Sequence, residues 1–340
     1  MITVDGSLGE GGGQVLRTAL GLSLVTGEPF RIHHIRAGRK KPGLMPQHLT
    51  AVNAAGELGG AGVEGAAIGS QQLTFTPQRV RPGDYHFAVR TAGSMTLVAQ
   101  TLLTALLVAD GPSRLTLEGG THNPFAPPFD FLDKTFLSLV SRMGPTVEAA
   151  LERPGFYPAG GGRFTVTVTP AAHLAPLELL ERGAVRSRRA RALVASLPRR
   201  IAEREVGIIR KKLGWGEDEL SIEEVRNSRG PGNVVMIEIE SEHVTEVFTA
   251  FGRRGVPAEQ VAGLAAEAAR EYLAADVPVG THLADQLLVP LALAGGGRFK
   301  TLPLSGHART NLEIVKRFLP VDARVEETAT DQRRVTLTRA

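Results

Sequence analysis

The chain has no cysteine, so disulfide staples and thiolate metal centres are excluded. Aromatic residues make up only 5% of its 340 residues. The core must therefore be assembled from Ala, Val, Leu and Ile, with glycine and proline dividing the chain into many short elements. No G-x-x-x-x-G-K-[ST] run occurs, so a nucleoside triphosphate would not be held by a Walker loop. "GAGVEG" (60–65) formally matches the dinucleotide fingerprint, but it follows a helix-like run and leads into a strand, which is the wrong context. The "VDG" at 4–6 has no lysine ahead of it. A covalent nucleotide intermediate would need another nucleophile, and histidine is a competent one. The most apolar run, "MTLVAQTLLTALLVADG", is interrupted by Gln100 and by threonines and is shorter than the ~20 residues of a membrane span. The first residues show neither a basic n-region nor an apolar h-region. The expectation is a soluble, cytoplasmic protein with no membrane partner. The net charge of +4 is too small to indicate nucleic acid by itself, so the local placement of arginine must decide that point.

What is present is a weak internal repeat. "GGQVLRTALGLSLVTGEPFRIHHIRAG" (12–38), "GSMTLVAQTLLTALLVADGPSRLTLEGG" (93–120) and "GTHLADQLLVPLALAGGGRFKTLPLSG" (280–306) each open small and polar. Each continues as an apolar run of helical period, stops at glycine, and passes through a short strand to another glycine. A second helix-like run and strand-like endings follow each copy. The expected fold class is α/β: three repeated two-helix/four-strand units forming a large domain (1–177 and 279–340), with an inserted smaller α/β domain (178–278) of arginine-rich and then alanine-rich composition. Arg17, Gln100 and the pair Asp285-Gln286 interrupt the three apolar helices at nearly the same point. A polar residue there costs stability unless it finds a partner, so a shared polar site is expected.

Several stretches carry candidate chemistry. "GEGGGQ" (9–14) offers successive backbone N–H groups at a helix start, an anion cradle, with Glu10 able to hold a divalent cation beside it. "IRAGRKKPGLMPQH" (35–48) concentrates Arg36, Arg39, Lys40 and Lys41, suited to gripping phosphate, with Gln47 just beyond. "THNPFAPPFDF" (121–131) carries Phe125 and Phe129, a surface on which a base could stack. "HLADQ" (282–286) puts a ring, an acid and an amide on one helical turn. "SGHARTN" sets His307 in a small-residue turn between a strand-like and a helix-like run, an unshielded imidazole.

Taken together, "DGSLGEGGGQVLR", "IRAGRKKPGL.PQHLTAV", "GGTHNPFAPPFDF", "GFYPAGGG", "HLADQLLVPLALAG" and "GHARTN" resemble the RNA 3′-terminal phosphate cyclases along essentially the whole chain. The resemblance implies ATP and Mg²⁺ or Mn²⁺ as cofactors and an RNA with a 3′-phosphate end as partner. It implies conversion of that end to a 2′,3′-cyclic phosphodiester through histidyl-AMP and RNA-adenylate intermediates. By position it assigns His307 as nucleophile and Glu10 as the metal-binding acid. Gln100, His282, Leu283, Ala284, Asp285, Gln286, Pro128 and Phe131 would lie at the nucleotide, and Arg17, Arg36, Arg39 and Gln47 at the substrate phosphates. His282 stands where the family has tyrosine, which puts that nucleotide contact in doubt. A homodimer is left open. Two alternatives use similar architecture: a non-catalytic relative acting in ribosome assembly, which lacks the histidine, and the enolpyruvyl-transfer synthases, which need no ATP.

Overall fold

The computed structural model describes residues 1–340. The chain begins with β1 (Ile2–Asp5), α1 (Gln14–Thr26), β2 (Phe30–His33), α2 (Pro46–Gly59), β3 (Gly62–Glu64) and β4 (Leu73–Thr76). It continues with β5 (Asp84–Ala88), α3 (Met95–Leu106), β6 (Ser113–Gly119), α4 (Phe129–Phe131), a π-helical turn (Leu132–Leu137), α5 (Ser138–Ser141), β7 (Thr146–Arg153), β8 (Gly162–Thr169) and β9 (Leu177–Leu179). Next come β10 (Val185–Ala195), α6 (Arg200–Leu213), β11 (Leu220–Val225), β12 (Gly232–Ser241), β13 (Thr245–Phe251) and α7 (Ala258–Ala275). The last elements are α8 (Thr281–Leu293), β14 (Gly296–Thr301), α9 (Gly306–Phe318), β15 (Val321–Ala329) and β16 (Gln332–Arg339).

The fold is mixed α/β with four mixed sheets. Their strand orders are β1-β2-β4-β3, β5-β6-β8-β7, β9-β14-β16-β15 and β11-β10-β12-β13. In the first three, the leading pair is parallel and the remaining pairs are antiparallel. A parallel pair needs a crossover, supplied by α1 between β1 and β2 and by α3 between β5 and β6. The expected boundary at 177/178 cuts through β9, which pairs in parallel with β14 far along the chain. Periodicity could not reveal this, because β9 is only three residues long and its partner is remote.

Within the sheet of β10–β13, β12 is buried on both faces and accordingly reads as a nearly continuous apolar run, "NVVMIEI", instead of an alternation. Val235, Ile237 and Ile239 join a core with Tyr272 and Val261 under α6 and α7, while Val234 and Met236 join the main core. Successive side chains of a strand face opposite ways, so one strand serves two cores. No helix is long and apolar enough to cross a membrane.

One buried acid ties this sheet to α8. Glu246 of β13 is 1% exposed, and its Oε1 accepts the N–H of Gly280, the N-cap of α8, at 2.5 Å. A helix N-terminus favours a carboxylate by roughly 0.3–2 kcal/mol. Burial costs more, and pushes the pKa up to about 8 against the bonds from Gly280 and Val247. The folded protein therefore keeps a proton on Glu246 that the unfolded chain loses near 4.5. This contribution to stability is fully present below that value and is lost as pH rises towards 8. Glu246→Gln keeps the acceptor and removes the ionisation. In thermal unfolding from pH 5 to 9, the variant should lose less stability on going alkaline, by roughly a few kcal/mol at about 1.4 kcal/mol per pKa unit.

Candidate active site

A cleft of about 690 Å³ opens between the starts of α1, α8 and α9, a size suited to one small ligand. Gly13, His282 and His307 all line it, each at or next to the first turn of its helix. Residues from the starts of three helices thus line one volume. Of the residues expected at the site, Arg17, Arg36, Arg39, Gln47, Gln100, Pro128, Phe131, His282, Asp285, Gln286 and His307 all line the cleft.

His307 lies in the first turn of α9, where an irregular turn had been expected. Ser305 caps the helix by accepting the Ala308 N–H at 3.1 Å. The imidazole is half-exposed, and its Nε2 stands 2.9 Å from Glu10 Oε2. Glu10, in the glycine-rich loop before α1, also lies 3.5 Å from the Arg39 guanidinium. A Cβ on Gly306 would sit 2.7 Å from Glu10 Oε1, so the bare glycine is what lets the acid approach the ring. Gly306→Ala should leave the melting temperature unchanged or raised, since alanine is the better helix former by roughly 0.5–1 kcal/mol. It should slow any His307-dependent reaction about tenfold by displacing Glu10. Steady-state rates set beside thermal melts check both halves.

Arg17 on α1 is half-buried, opens onto the cleft, and has no carboxylate within salt-bridge distance. Burial lowers its pKa to about 10, with the more distant charge of Asp285 acting the other way. It remains a cation at neutral pH without a paired anion. Next to it His48, buried under the cleft floor, is held neutral: burial first, then Arg17 and Arg36, push its pKa down to about 3. Arg36 sits at φ +56° and donates to the carbonyls of Lys41 and Gly43 at 2.7 and 2.8 Å, which fixes the basic loop. Gln47 Oε1 accepts the Ser94 N–H at 2.9 Å, tying the start of α2 to the start of α3.

Asp285 anchors the opposite wall. Its Oδ1 accepts Gln14 Nε2 at 2.5 Å and Asn311 Nδ2 at 3.1 Å, and Thr18 donates to Asn311 Oδ1 at 2.8 Å. Burial raises the Asp285 pKa, opposed by Gln14, His307, Arg17 and Asn311. Gln100 Nε2 donates to Gln286 Oε1, joining α3 to α8. Gln14 Oε1 is left buried without a partner while Gln14 lines the cleft, an acceptor available to a ligand donor. For His282, enclosure by the cleft walls and then the neighbouring His307 lower the pKa, so the ring is neutral.

Leu283 and Ala284 do not belong to this wall. Both are fully buried in the main core and neither lines the cleft. The helical period explains it: His282, Asp285, Gln286 and Val289 share one face of α8, and 283 and 284 point to the other. Phe129 is likewise unable to stack on a ligand, being packed edge-on against Phe164 at 5.5 Å. Phe125 is 80% exposed at the cleft, with the Arg253 guanidinium 5.5 Å above its ring. The apolar end of the cleft also receives Phe136 from the π-helical turn and Val247, Thr249 and Phe251 from β13. No motif pointed to these, whereas Gln14 and Asn311 close the "GEGGGQ" and "GHARTN" motifs without having been assigned a role. The only signal for β13 was its alternation, which puts residues 247, 249 and 251 on one face.

The RNA 3′-terminal phosphate cyclase family matches residues 8–325, nearly the whole chain. The chain belongs to the RNA 3′-terminal phosphate cyclase family. It is 56% identical over 327 residues to the RNA 3′-terminal phosphate cyclase of Koribacter versatilis (strain Ellin345), covering 96% of this chain and 92% of that one. It is 52% identical to that of Ectopseudomonas mendocina (strain ymp), covering 94% and 93% of the two chains. Against that of Salmonella agona (strain SL483) the identity is 50%, covering 96% and 94%. Membership of this family gives a chemical sense to a cleft that sets a histidine, an acid and an unpaired arginine around an anion-sized space.

Proposed function

We propose that the chain is an ATP-dependent RNA 3′-terminal phosphate cyclase whose nucleophile is His307. The observation that carries this reading is the placement of His307 at a helix start, 2.9 Å from the Glu10 carboxylate, on a cleft lined by Arg17, Arg36 and Arg39. ATP enters as a substrate. The unpaired Arg17 and the apolar end around Phe131 and Val289 fit a ligand that is anionic at one end and flat and apolar at the other.

A neutral imidazole attacks through its unprotonated nitrogen, which already carries the lone pair, and the Glu10 carboxylate beside Nε2 orients the ring. Attack on the α-phosphorus forms a P–N bond and breaks the bridging P–O bond, and pyrophosphate leaves. The RNA 3′-phosphate oxygen then attacks the same phosphorus, breaking the P–N bond and freeing His307. The adjacent 2′-hydroxyl closes on the activated terminal phosphate, losing its proton and expelling AMP. That last step is intramolecular and needs little beyond correct placement. Arg17, Arg36 and Arg39 hold the phosphates, and Asp285, through Gln14 and Asn311, fixes the wall beside them. Mg²⁺ or Mn²⁺ fits the single hard oxygen donor of Glu10 beside substrate phosphates, and would neutralise their charge.

We also read the molecule as three related units, with the body of β10–β13, α6 and α7 inserted into the third. The shared strand order of three sheets supports this reading, in which the insertion follows β9.

The test is to incubate a 3′-phosphorylated RNA with the protein, ATP and Mg²⁺. The expected result is one phosphatase-resistant end and one AMP released per molecule converted. Ends that stay phosphatase-sensitive under all ATP and metal conditions would refute the activity.

A further inference from the structure

We infer that Asp5, His33 and His34 form a binding site for a single divalent transition-metal ion of the Zn²⁺ class, separate from the cleft. None of the three lines the cleft, and none has a part in the proposed reaction. They meet where β1 and β2 end side by side, Asp5 paired with His33 in the parallel register.

The argument is geometric. Ligand atoms at about 2.0–2.1 Å from a tetrahedral ion lie roughly 3.3–3.4 Å from one another. Here the two Nδ1 atoms are 3.1 Å apart, His34 Nδ1 is 3.3 Å from Asp5 Oδ1, and His33 Nδ1 is 3.8 Å from it. All three separations fall close to one tetrahedral face. The imidazole planes are near perpendicular at 87°, so the two nitrogens converge on a point instead of stacking. Hydrogen bonds from ring to ring and from His34 to Asp5 account for two edges of the triangle, and the approach of His33 to the same carboxylate oxygen closes it.

The backbone is arranged to bring these atoms together. His34 sits at φ +54°, a left-handed conformation uncommon for a side chain larger than glycine. That turn sends the rings of two consecutive residues towards one point, where an extended strand would send them to opposite faces. Gly6 donates its N–H to the His33 carbonyl at 2.7 Å, and a Cβ on it would lie 2.9 Å from the carbonyls of His33 and His34. The Ser7 N–H and hydroxyl donate to Asp5 Oδ1 at 2.9 and 2.7 Å and orient the carboxylate, as outer partners of metal ligands do. Two imidazoles and one carboxylate select Zn²⁺, Ni²⁺, Co²⁺ or Cu²⁺ over Mg²⁺, and the exposed side leaves a fourth position to water. A bound ion would clamp the ends of the two strands from which the Glu10 loop and the Arg36–Arg39 loop depart.

The test uses full-length protein carrying His307→Ala and Glu10→Gln, so that the His307–Glu10 pair cannot hold the ion. Zn²⁺ is titrated in competition with a chromophoric chelator. The expected result is one ion per chain, a raised melting temperature with Zn²⁺, and no displacement by excess Mg²⁺. Adding His33→Ala or His34→Asn should abolish the binding and the thermal shift, and Asp5→Asn should weaken binding at least tenfold. His34→Asn suits the left-handed backbone and carries the test if another variant fails to fold. An unchanged stoichiometry in the His33 and His34 variants, or no binding at micromolar Zn²⁺, overturns the assignment and leaves the cyclase reading untouched.

Discussion

Replacing His307 by alanine is expected to abolish the reaction while leaving the fold intact. Loss of a nucleophile typically costs roughly 10⁴-fold or more. The side chain is half-exposed, its recorded polar contact is with Glu10, and α9 keeps its Ser305 cap, so melting should scarcely change. The cleft does contain a second histidine. His282 lines the same wall and is the rival candidate for the attack. The two are separated by kinetics. His282→Ala should raise KM for ATP and still form the covalent adenylate, whereas His307→Ala should form none at any ATP concentration. If His282→Ala were the variant without adenylate, the roles assigned here would be reversed.

The second large effect comes from Arg17 and runs in opposite directions for activity and stability. A guanidinium half-buried beside the cleft without an ion-pair partner destabilises the unliganded protein and is set to bind an anion. Arg17→Met should lower kcat/KM for ATP by roughly 10²–10³-fold, the usual loss for one preorganised charge donor. It should also raise unfolding stability by on the order of 1 kcal/mol, because a methionine fills the space without a desolvated charge. Activity assays and thermal melts on the same preparation test both signs. A variant that loses stability along with activity would show that Arg17 holds the fold together instead of awaiting a ligand.

Much of this site was legible from the chain because its polar residues break apolar helices. Arg17, Gln100 and Asp285-Gln286 each sit where the helical period calls for an apolar residue, and the folded chain brings all of them to one cleft. The basic loop and the glycine-rich turn were visible as composition. The parts that were not legible depend on distance or direction. Gln14 and Asp285 each lie in a motif, but nothing in either marks the other as its partner across 271 positions. Leu283 and Ala284 fall inside the 282–286 stretch that the resemblance assigns to the nucleotide, although the 3.6-residue period turns them to the core. The contribution of β13 needed the docking of its sheet against the π-helical turn, which no local pattern encodes. Glu246 reads in the sequence as one more surface acid on a strand, and only packing shows that it is buried against the start of α8.

The central claim is a phosphorus–nitrogen bond on His307, and one measurement addresses it directly. The protein is incubated with ATP labelled at the α-phosphate and Mg²⁺, denatured and digested with trypsin, and the labelled peptide is sequenced. The account predicts acid-labile, alkali-stable label, up to one per chain, on the peptide of residues 301–309 that contains His307. Label that survives acid, or that maps to any other peptide, would contradict it.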